Sequence, residues 1–196
     1  MNIPSVRQCL QIMEDEEMLP NIQAHSIMVA RLARLLFVEL GKSPLKDIPL
    51  PDERLILAGA LLHDIAKTPC LIKGCHHAKK GRDFCVENGY PEVGEVVREH
   101  VWLFDFSPER YAKGHFFAKE IVYYADKRVR HDRIVSLAAR KAYILERYGN
   151  NDPERHRLIK ENFEKCEQLE TFLFAVLTVE ADEMQKLVEK TTLPGM

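Results

Sequence analysis

Residues 57–69 read "LAGALLHDIAKTP", an apolar run of small and aliphatic residues that ends in a histidine and an aspartate side by side, His63 and Asp64. Helical spacing of the apolar residues predicts a helix over about 53–66, with the His–Asp pair in its last turn. Asp52 is placed to cap its N-terminus. Burying a carboxylate costs several kcal/mol or more, about the stability of a whole domain's margin, unless a charge or hydrogen bonds compensate it. The rest of the chain therefore has to supply a counter-charge.

Outward from this stretch the chain reads as helices almost throughout, because apolar residues recur at spacings of three and four rather than two. Upstream, "IQAHSIMVARLARLLFVEL" (22–40) sets His25, Met28, Val29, Leu32, Leu35 and Leu36 along one stripe, so His25 faces the core. Between the two helices, "GKSPLKDIPLPDE" is a proline-rich loop. Downstream, "KTPCLIKGC" reads as a loop, followed by a helix around His76 to Glu87 and a turn at "NGYPE". The next helix puts Val93, Val97, His100, Val101 and Phe104 on one face, and "FSPERYAKGH" is again a loop. "FAKEIVYYADKRV" aligns Val122, Ala125, Asp126 and Val129, so Asp126 also points inward. "IVSLAARKAYILERYG" closes at Gly149 in a C-cap role, and two amphipathic stretches fill 153–190. The fold class is all-α; no repeat, low-complexity tract, glycine-rich phosphate loop or alternating strand run interrupts it.

A chain of 196 residues with 46% hydrophobic content suffices for one compact body with a sizeable core. The net charge of −2, with both signs interspersed, leaves no electrostatic footprint for duplex nucleic acid or an anionic membrane. The first residues, "MNIPSVRQCLQIMEDEE", lack a basic n-region and an apolar h-region, and no apolar run approaches the ~20 residues of a bilayer span, so a cytoplasmic location is expected. In that compartment the five cysteines (Cys9, Cys70, Cys75, Cys85 and Cys166) are expected as reduced thiols rather than disulfides. A zinc cluster from Cys70, Cys75, His76 and Cys85 is disfavoured, since the spacing is not that of a knuckle and no second pair follows.

Six polar residues thus face inward: His25, His63, Asp64, His77, His100 and Asp126. A single such histidine is usually a satisfied core residue, but six on separate faces call for a shared partner. A divalent metal ion satisfies imidazoles and carboxylates together without leaving buried negative charge. Neighbours such as His63 and Asp64 point about 100° apart on a helix, so one can bind an ion directly while the other bridges to a second.

The order His25, His63–Asp64, Asp126, with "LLHDIAK" and "YYADKRV" around its members, resembles the HD-domain superfamily of metal-dependent phosphohydrolases. The resemblance covers about residues 20–145. It implies an HD domain within 1–150, with 151–196 as a C-terminal helical extension packed on the same domain. It also implies that His25, His63, Asp64 and Asp126 hold one metal and that Asp64 can bridge to another. "HAKKG", starting at His77, and "VREH", ending at His100, fit the two further histidines of a binuclear branch that includes the bacterial symmetrical diadenosine tetraphosphate hydrolases and related phosphodiesterases. His77 and His100 are then either second-metal ligands or phosphate ligands of a mononuclear enzyme. The GYP motif is missing, so cyclic di-GMP is a poor substrate.

The function so implied is hydrolysis of a phosphoester or phosphoanhydride of a small nucleotide-like substrate. A donor set of imidazole and carboxylate suits Fe, Mn, Co, Ni or Zn, as one ion or two. Such ions clamp a phosphoryl group and lower the pKa of a coordinated water, and the resulting hydroxide attacks phosphorus in line. Asp64 and Lys67 are the catalytic candidates. Lys67 matches the Lys of the family's HDxxK pattern and is placed to hold a phosphate oxygen; otherwise it is a surface lysine complementing a helix C-terminus. His115 either flanks the pocket mouth or simply begins a helix. In the basic cluster Arg128, Arg130, His131 and Arg133, Arg130 is the candidate for meeting substrate phosphates, against a merely solvated face. A mononuclear 5'-nucleotidase or phosphodiesterase is the alternative enzyme, and a non-catalytic signalling or scaffold module the alternative of another class. The apolar face of Leu169, Phe172, Leu173, Val176 and Leu177 either covers the bundle or joins a homo-oligomer.

Overall fold

A computed structural model describes residues 1–45 and 48–195. At its centre lies α2 (Pro20–Leu40), started by a proline at its first position. Packed on it are α3 (Glu53–Leu62), whose N-cap Asp52 accepts from the Arg54 amide, and α8 (Ala118–Arg128). The opening helix α1 (Val6–Asp15) leans on α3 through Val6, Cys9 and Met13, and Ser5 and Gln8 close its N-terminus as a capping box. A helical pair, α5 (His77–Glu87) and α6 (Pro91–Glu99), folds back on itself at Gly89, which takes a left-handed φ of 82°, and α6 then packs against α3 and α8. After α8 come α9 (Leu137–Tyr148) and α10 (Pro153–Phe174), which cover α8, and α11 (Met184–Val188), which returns to α2. The closing segment is tied to α2 by Arg31 and Arg34, which donate to the carbonyls of Thr191 and Thr192.

The chain is all-α, as its periodicity predicts, and several local details differ. The helix predicted to 66 stops at Leu62. His63–Ala66 form a tight turn in which the Ile65 amide donates to Leu62 and the Lys67 amide to Asp64, and "KTPCLIK", expected as loop, is a short helix, α4 (Lys67–Lys73). Because the turn winds more tightly than an α-helix, His63 and Asp64 are both driven into the interior. The helix carrying Val93 and Val97 ends at Glu99, which leaves Val101 and Phe104 exposed instead of on its buried face. Pro108–Tyr111 forms a single helical turn, α7, in the expected loop. At the end of α8 a two-residue ribbon, β1 (Val129–Arg130) with β2 (Arg133–Ile134), replaces the last expected helical residue.

Two composition-based expectations also need correcting. One 21-residue stretch, Glu53–Lys73, is long and apolar enough to cross a membrane by length and composition. Its helix is broken at 63–66 and its apolar side chains are mostly buried in the core beside ionisable groups, as in the core helix of a folded domain. Cys70 and Cys75, expected as thiols, are paired as a disulfide, because Gly74 turns the chain through a left-handed φ of 65° and brings their Cα atoms to 4.8 Å. Cys9, Cys85 and Cys166 are free and buried. The Leu169, Leu173, Val176 and Leu177 side chains are buried within the chain itself, so that apolar face covers the bundle.

Candidate metal centre

The six inward-facing residues come from five segments that end or begin at one point. His25 projects from the second turn of α2, His63 and Asp64 from the turn after α3, and His77 from the first residue of α5. His100 caps α6, and Asp126 sits near the end of α8. Termini of helices are where a chain can leave its axis, so five backbone segments approach without their cylinders colliding. The imidazoles form a row, with ring centroids 5.3 Å apart for His25–His63, 4.8 Å for His63–His100 and 5.1 Å for His77–His100.

Hydrogen bonds outside the cluster assign the ring protons. Nδ1 of His25 donates to the His131 carbonyl at 3.0 Å, Nδ1 of His63 to Ala60 at 2.7 Å, and Nδ1 of His100 to Val97 at 2.6 Å. A neutral imidazole whose Nδ1 carries the proton presents a lone pair on Nε2. All three Nε2 atoms turn toward the two carboxylates: His25 lies 3.0 Å from Asp126 Oδ1, and His63 lies 3.4 Å from Asp64 Oδ2 and 3.7 Å from Asp126 Oδ1. His100 and His77 lie 3.6 and 3.3 Å from Asp64 Oδ1, and their own Nε2 atoms are 3.2 Å apart. Acceptor faces acceptor across the cluster. His63 Nε2 and Asp64 Oδ1 are both buried with no hydrogen-bond partner, an arrangement that costs a few kcal/mol unless a cation stands between them. The donors fit divalent ions. His25, His63 and Asp64 form one group able to hold an ion, and Asp64, His77 and His100 form another, with Asp64 shared. Asp126, beside His25 and His63, adds a carboxylate to the first.

The electrostatics follow from burial and crowding. Burial opposes ionisation of Asp64 and Asp126, but their neighbours prevail (His63 and Lys67 for Asp64, Lys127 and the His25 hydrogen bond for Asp126), so both stay ionised well below the usual carboxylate range. Burial pushes the His77 imidazole down to about 3, and the His100 ring adds to this, so it remains neutral near pH 7. His100 is lowered mainly by burial. At His63 the charges of Asp64 and Asp126 and the hydrogen bonds overcome burial and raise the pKa.

The remaining sequence-derived candidates divide. Lys67 begins α4 instead of closing α3, so it does not complement a helix C-terminus; its Nζ donates to Asp64 Oδ2 at 2.6 Å. His76, immediately before His77, is exposed. His115 is not brought to the cluster: it packs against Phe117 and lines a separate hollow with Pro49, Glu109 and Lys113. Arg130 is exposed and stacks over Tyr143 at 4.4 Å, outside the cavity beside the centre. Arg128 is buried, held by Glu170 and the Val135 carbonyl. Cys85 lies buried in the core and Cys70 is bonded to Cys75, which removes the thiolate donors of the disfavoured zinc cluster.

That cavity has a volume of about 330 Å³ and two unlike ends. Asp64, Lys67, His77, His100, Asp126, Lys127 and Arg140 make the polar end, and Leu71, Ile144, Tyr148, Ile159 and Phe163 wall the rest. Lys127 and Arg140 escape a reading of the sequence. Lys127 follows Asp126 on α8, yet its Nζ reaches back to the His100 carbonyl at 2.7 Å and lies over the Tyr123 ring. Arg140 could have been found only from its helical spacing to Ile144 and Tyr148.

Comparison with known proteins agrees with this geometry. A family described as HD domain matches residues 22–189. The chain is similar to the Ribonuclease Y of Sulfurovum sp. (strain NBC37-1), at 35% identity over 81 residues, which is 41% of this chain and only 14% of the length of that protein. No solved structure matches the chain. HD domains are generally metal-dependent phosphohydrolases, and a histidine and aspartate cluster able to hold a divalent metal lies inside the matched region. The match spans most of the sequence and every residue of the cluster, and on that ground the chain belongs to the HD domain family.

Proposed function

We propose that this protein hydrolyses a phosphoester or phosphoanhydride bond of a small, nucleotide-like substrate at a binuclear metal centre. The centre is held by His25, His63, Asp64, His77, His100 and Asp126. The observation that carries the reading is Asp64, whose orphaned Oδ1 belongs to one donor group and whose carboxylate completes the other. Divalent ions at such a centre supply Lewis acidity and a coordinated water of lowered pKa. Lys67, fixed by Asp64, places an ammonium where a phosphoryl oxygen gains charge in the transition state. Lys127 positions His100 through its carbonyl, and the apolar wall of Ile144, Ile159 and Phe163 excludes bulk water from the reacting end. The cavity's volume supports a small substrate over a duplex, and the partial likeness to a protein named for ribonuclease activity supports a phosphodiester among the bonds to be tried.

The test loads purified protein with manganese or iron and screens nucleoside monophosphates, dinucleoside polyphosphates, cyclic nucleotides and short RNA for hydrolysis. Turnover of at least one class, abolished by chelation and by Asp64→Ala, is expected. Turnover that survives both treatments overturns the reading. Full activity in both His77→Ala and His100→Ala assigns the reaction to a mononuclear site.

A further inference from the structure

Arg140 is the one cavity-lining cation among the described residues whose side chain makes no hydrogen bond. Its side chain is about nine-tenths buried, its nearest carboxylate oxygen is Asp126 Oδ1 at 3.8 Å, and it leans on the Tyr143 ring with its Cζ 5.5 Å from the centroid. By contrast Lys67 donates to Asp64 and Lys127 to the His100 carbonyl. A guanidinium carries five donors in a planar fork and keeps its charge at any physiological pH, so a nearly buried one that lines a cavity and makes no hydrogen bond within the chain has its donors available to an anionic ligand. The cavity already balances Asp64 and Asp126 with Lys67 and Lys127; Arg140 makes it positive before any divalent ion is added. With even one divalent ion bound, the positive charge would exceed the roughly −2 of a single phosphoryl group, and a second phosphoryl group would bring the sum closer to balance.

The direction of α9 says how that anion is oriented. Arg140, Ile144 and Tyr148 follow each other at intervals of four along one face, and all three line the cavity. Arg140 is buried, Ile144 half-buried, and Tyr148 is 44% exposed at the open end. The face therefore runs about 12 Å from a cationic floor to an aromatic rim, at ~1.5 Å per helical residue. Ile159 and Phe163 of α10 form the wall beside it. A group with an aromatic or apolar end fits the rim and wall, as a base or other ring stacked on Tyr148 would.

We propose that Arg140 holds a second phosphoryl group, adjacent to the one at the metal centre, and that the α9 face with Ile159 and Phe163 receives the organic group attached to it. The substrates so selected carry two or more consecutive phosphoryl groups ahead of an apolar or aromatic moiety. This inference rests on the phosphohydrolase reading of the same cavity. Arg140 lies beside Asp126 at 3.8 Å and hydrogen-bonds none of the candidate metal ligands, so it is assigned as a specificity-determining residue for the distal phosphoryl group.

Calorimetric titration of the full chain, with manganese and separately with chelator, tests it using AMP and the non-hydrolysable adenosine α,β-methylene diphosphate. In the native protein the diphosphate analogue is expected to bind more tightly than AMP. Arg140→Gln is expected to weaken the analogue about 10- to 100-fold, the range of a charge-assisted hydrogen bond, and to change AMP by less than about threefold. Arg140→Lys, which keeps the charge and loses the fork, is expected to fall between them, and it decides the matter should Arg140→Gln fail to fold. Equal binding of the two nucleotides by the native protein, or equal weakening of both by the substitutions, overturns the assignment. Turnover of monophosphates alone, unaffected at Arg140, sinks this proposal and leaves the hydrolase standing. Arg140-dependent binding with no turnover of any substrate sinks the hydrolase and leaves this proposal standing.

Discussion

Replacing Asp64 by Asn keeps the volume and removes the one charge that both donor groups share. An ion bound only by the folded state stabilises it by about 2.7 kcal/mol at a hundredfold excess over its Kd. A domain of this size gains about 2–4 °C in melting temperature per kcal/mol, so each bound ion is expected to raise Tm by about 5–11 °C. The native protein should show the shift of about two ions, His77→Ala that of about one, and Asp64→Asn at most one, since His77 and His100 are left without a carboxylate while His25 and His63 keep Asp126. The assay is thermal unfolding of each protein with and without manganese, alongside metal analysis of the dialysed samples. Each variant is compared with itself, so any effect of losing the 2.6 Å Asp64–Lys67 ion pair on the metal-free protein cancels. A full metal-dependent shift and undiminished stoichiometry in Asp64→Asn would refute the shared-carboxylate geometry.

Two further outcomes are expected. Gly59→Ala would normally stabilise a helix interior by about 1 kcal/mol, but here a Cβ would come 2.4 Å from Val96 Cγ1 where α3 meets α6, so a loss of about 1–3 kcal/mol is expected in chemical denaturation. A stability gain there would mean that α3 and α6 lie farther apart. In metal-free protein the His77 ring, pushed down to about 3, should show a flat NMR chemical shift between pH 5 and 8, because the neutral form persists throughout. A midpoint near the ordinary value of ~6.5 would show that the ring is solvated and not packed against His100.

The helical architecture was legible because helix formation is written in local spacing. His25 with Val29, Leu32 and Leu36, and Asp126 with Val122 and Val129, stand on stripes that the structure buries or half-buries. The six candidate ligands were legible through their type, since polar residues on apolar faces need a partner wherever they occur. Short elements were not: α4 differs from a loop by a few hydrogen bonds, and its position depends on the core that receives Cys70 and Asp64. Arg140 was missed because an arginine on an amphipathic helix normally points to solvent. It lines a cavity whose far wall, Ile159 and Phe163 of α10, comes from more than a dozen residues away. The Cys70–Cys75 pairing, against the composition, came from one left-handed glycine between them.

By itself the sequence determined the all-α class, the order of the long helices and the kinds of side chain that face inward, because these depend on neighbours within a few turns. The tertiary structure alone decided that five helix ends meet at one point, and that three imidazoles give their Nδ1 protons to backbone carbonyls and aim their Nε2 atoms at two carboxylates. It alone placed Arg140 beside them, near Asp126 but with no hydrogen bond. Charge and hydrogen bonding act through space over a few ångströms, and only the packed chain brings residues a hundred positions apart within that distance.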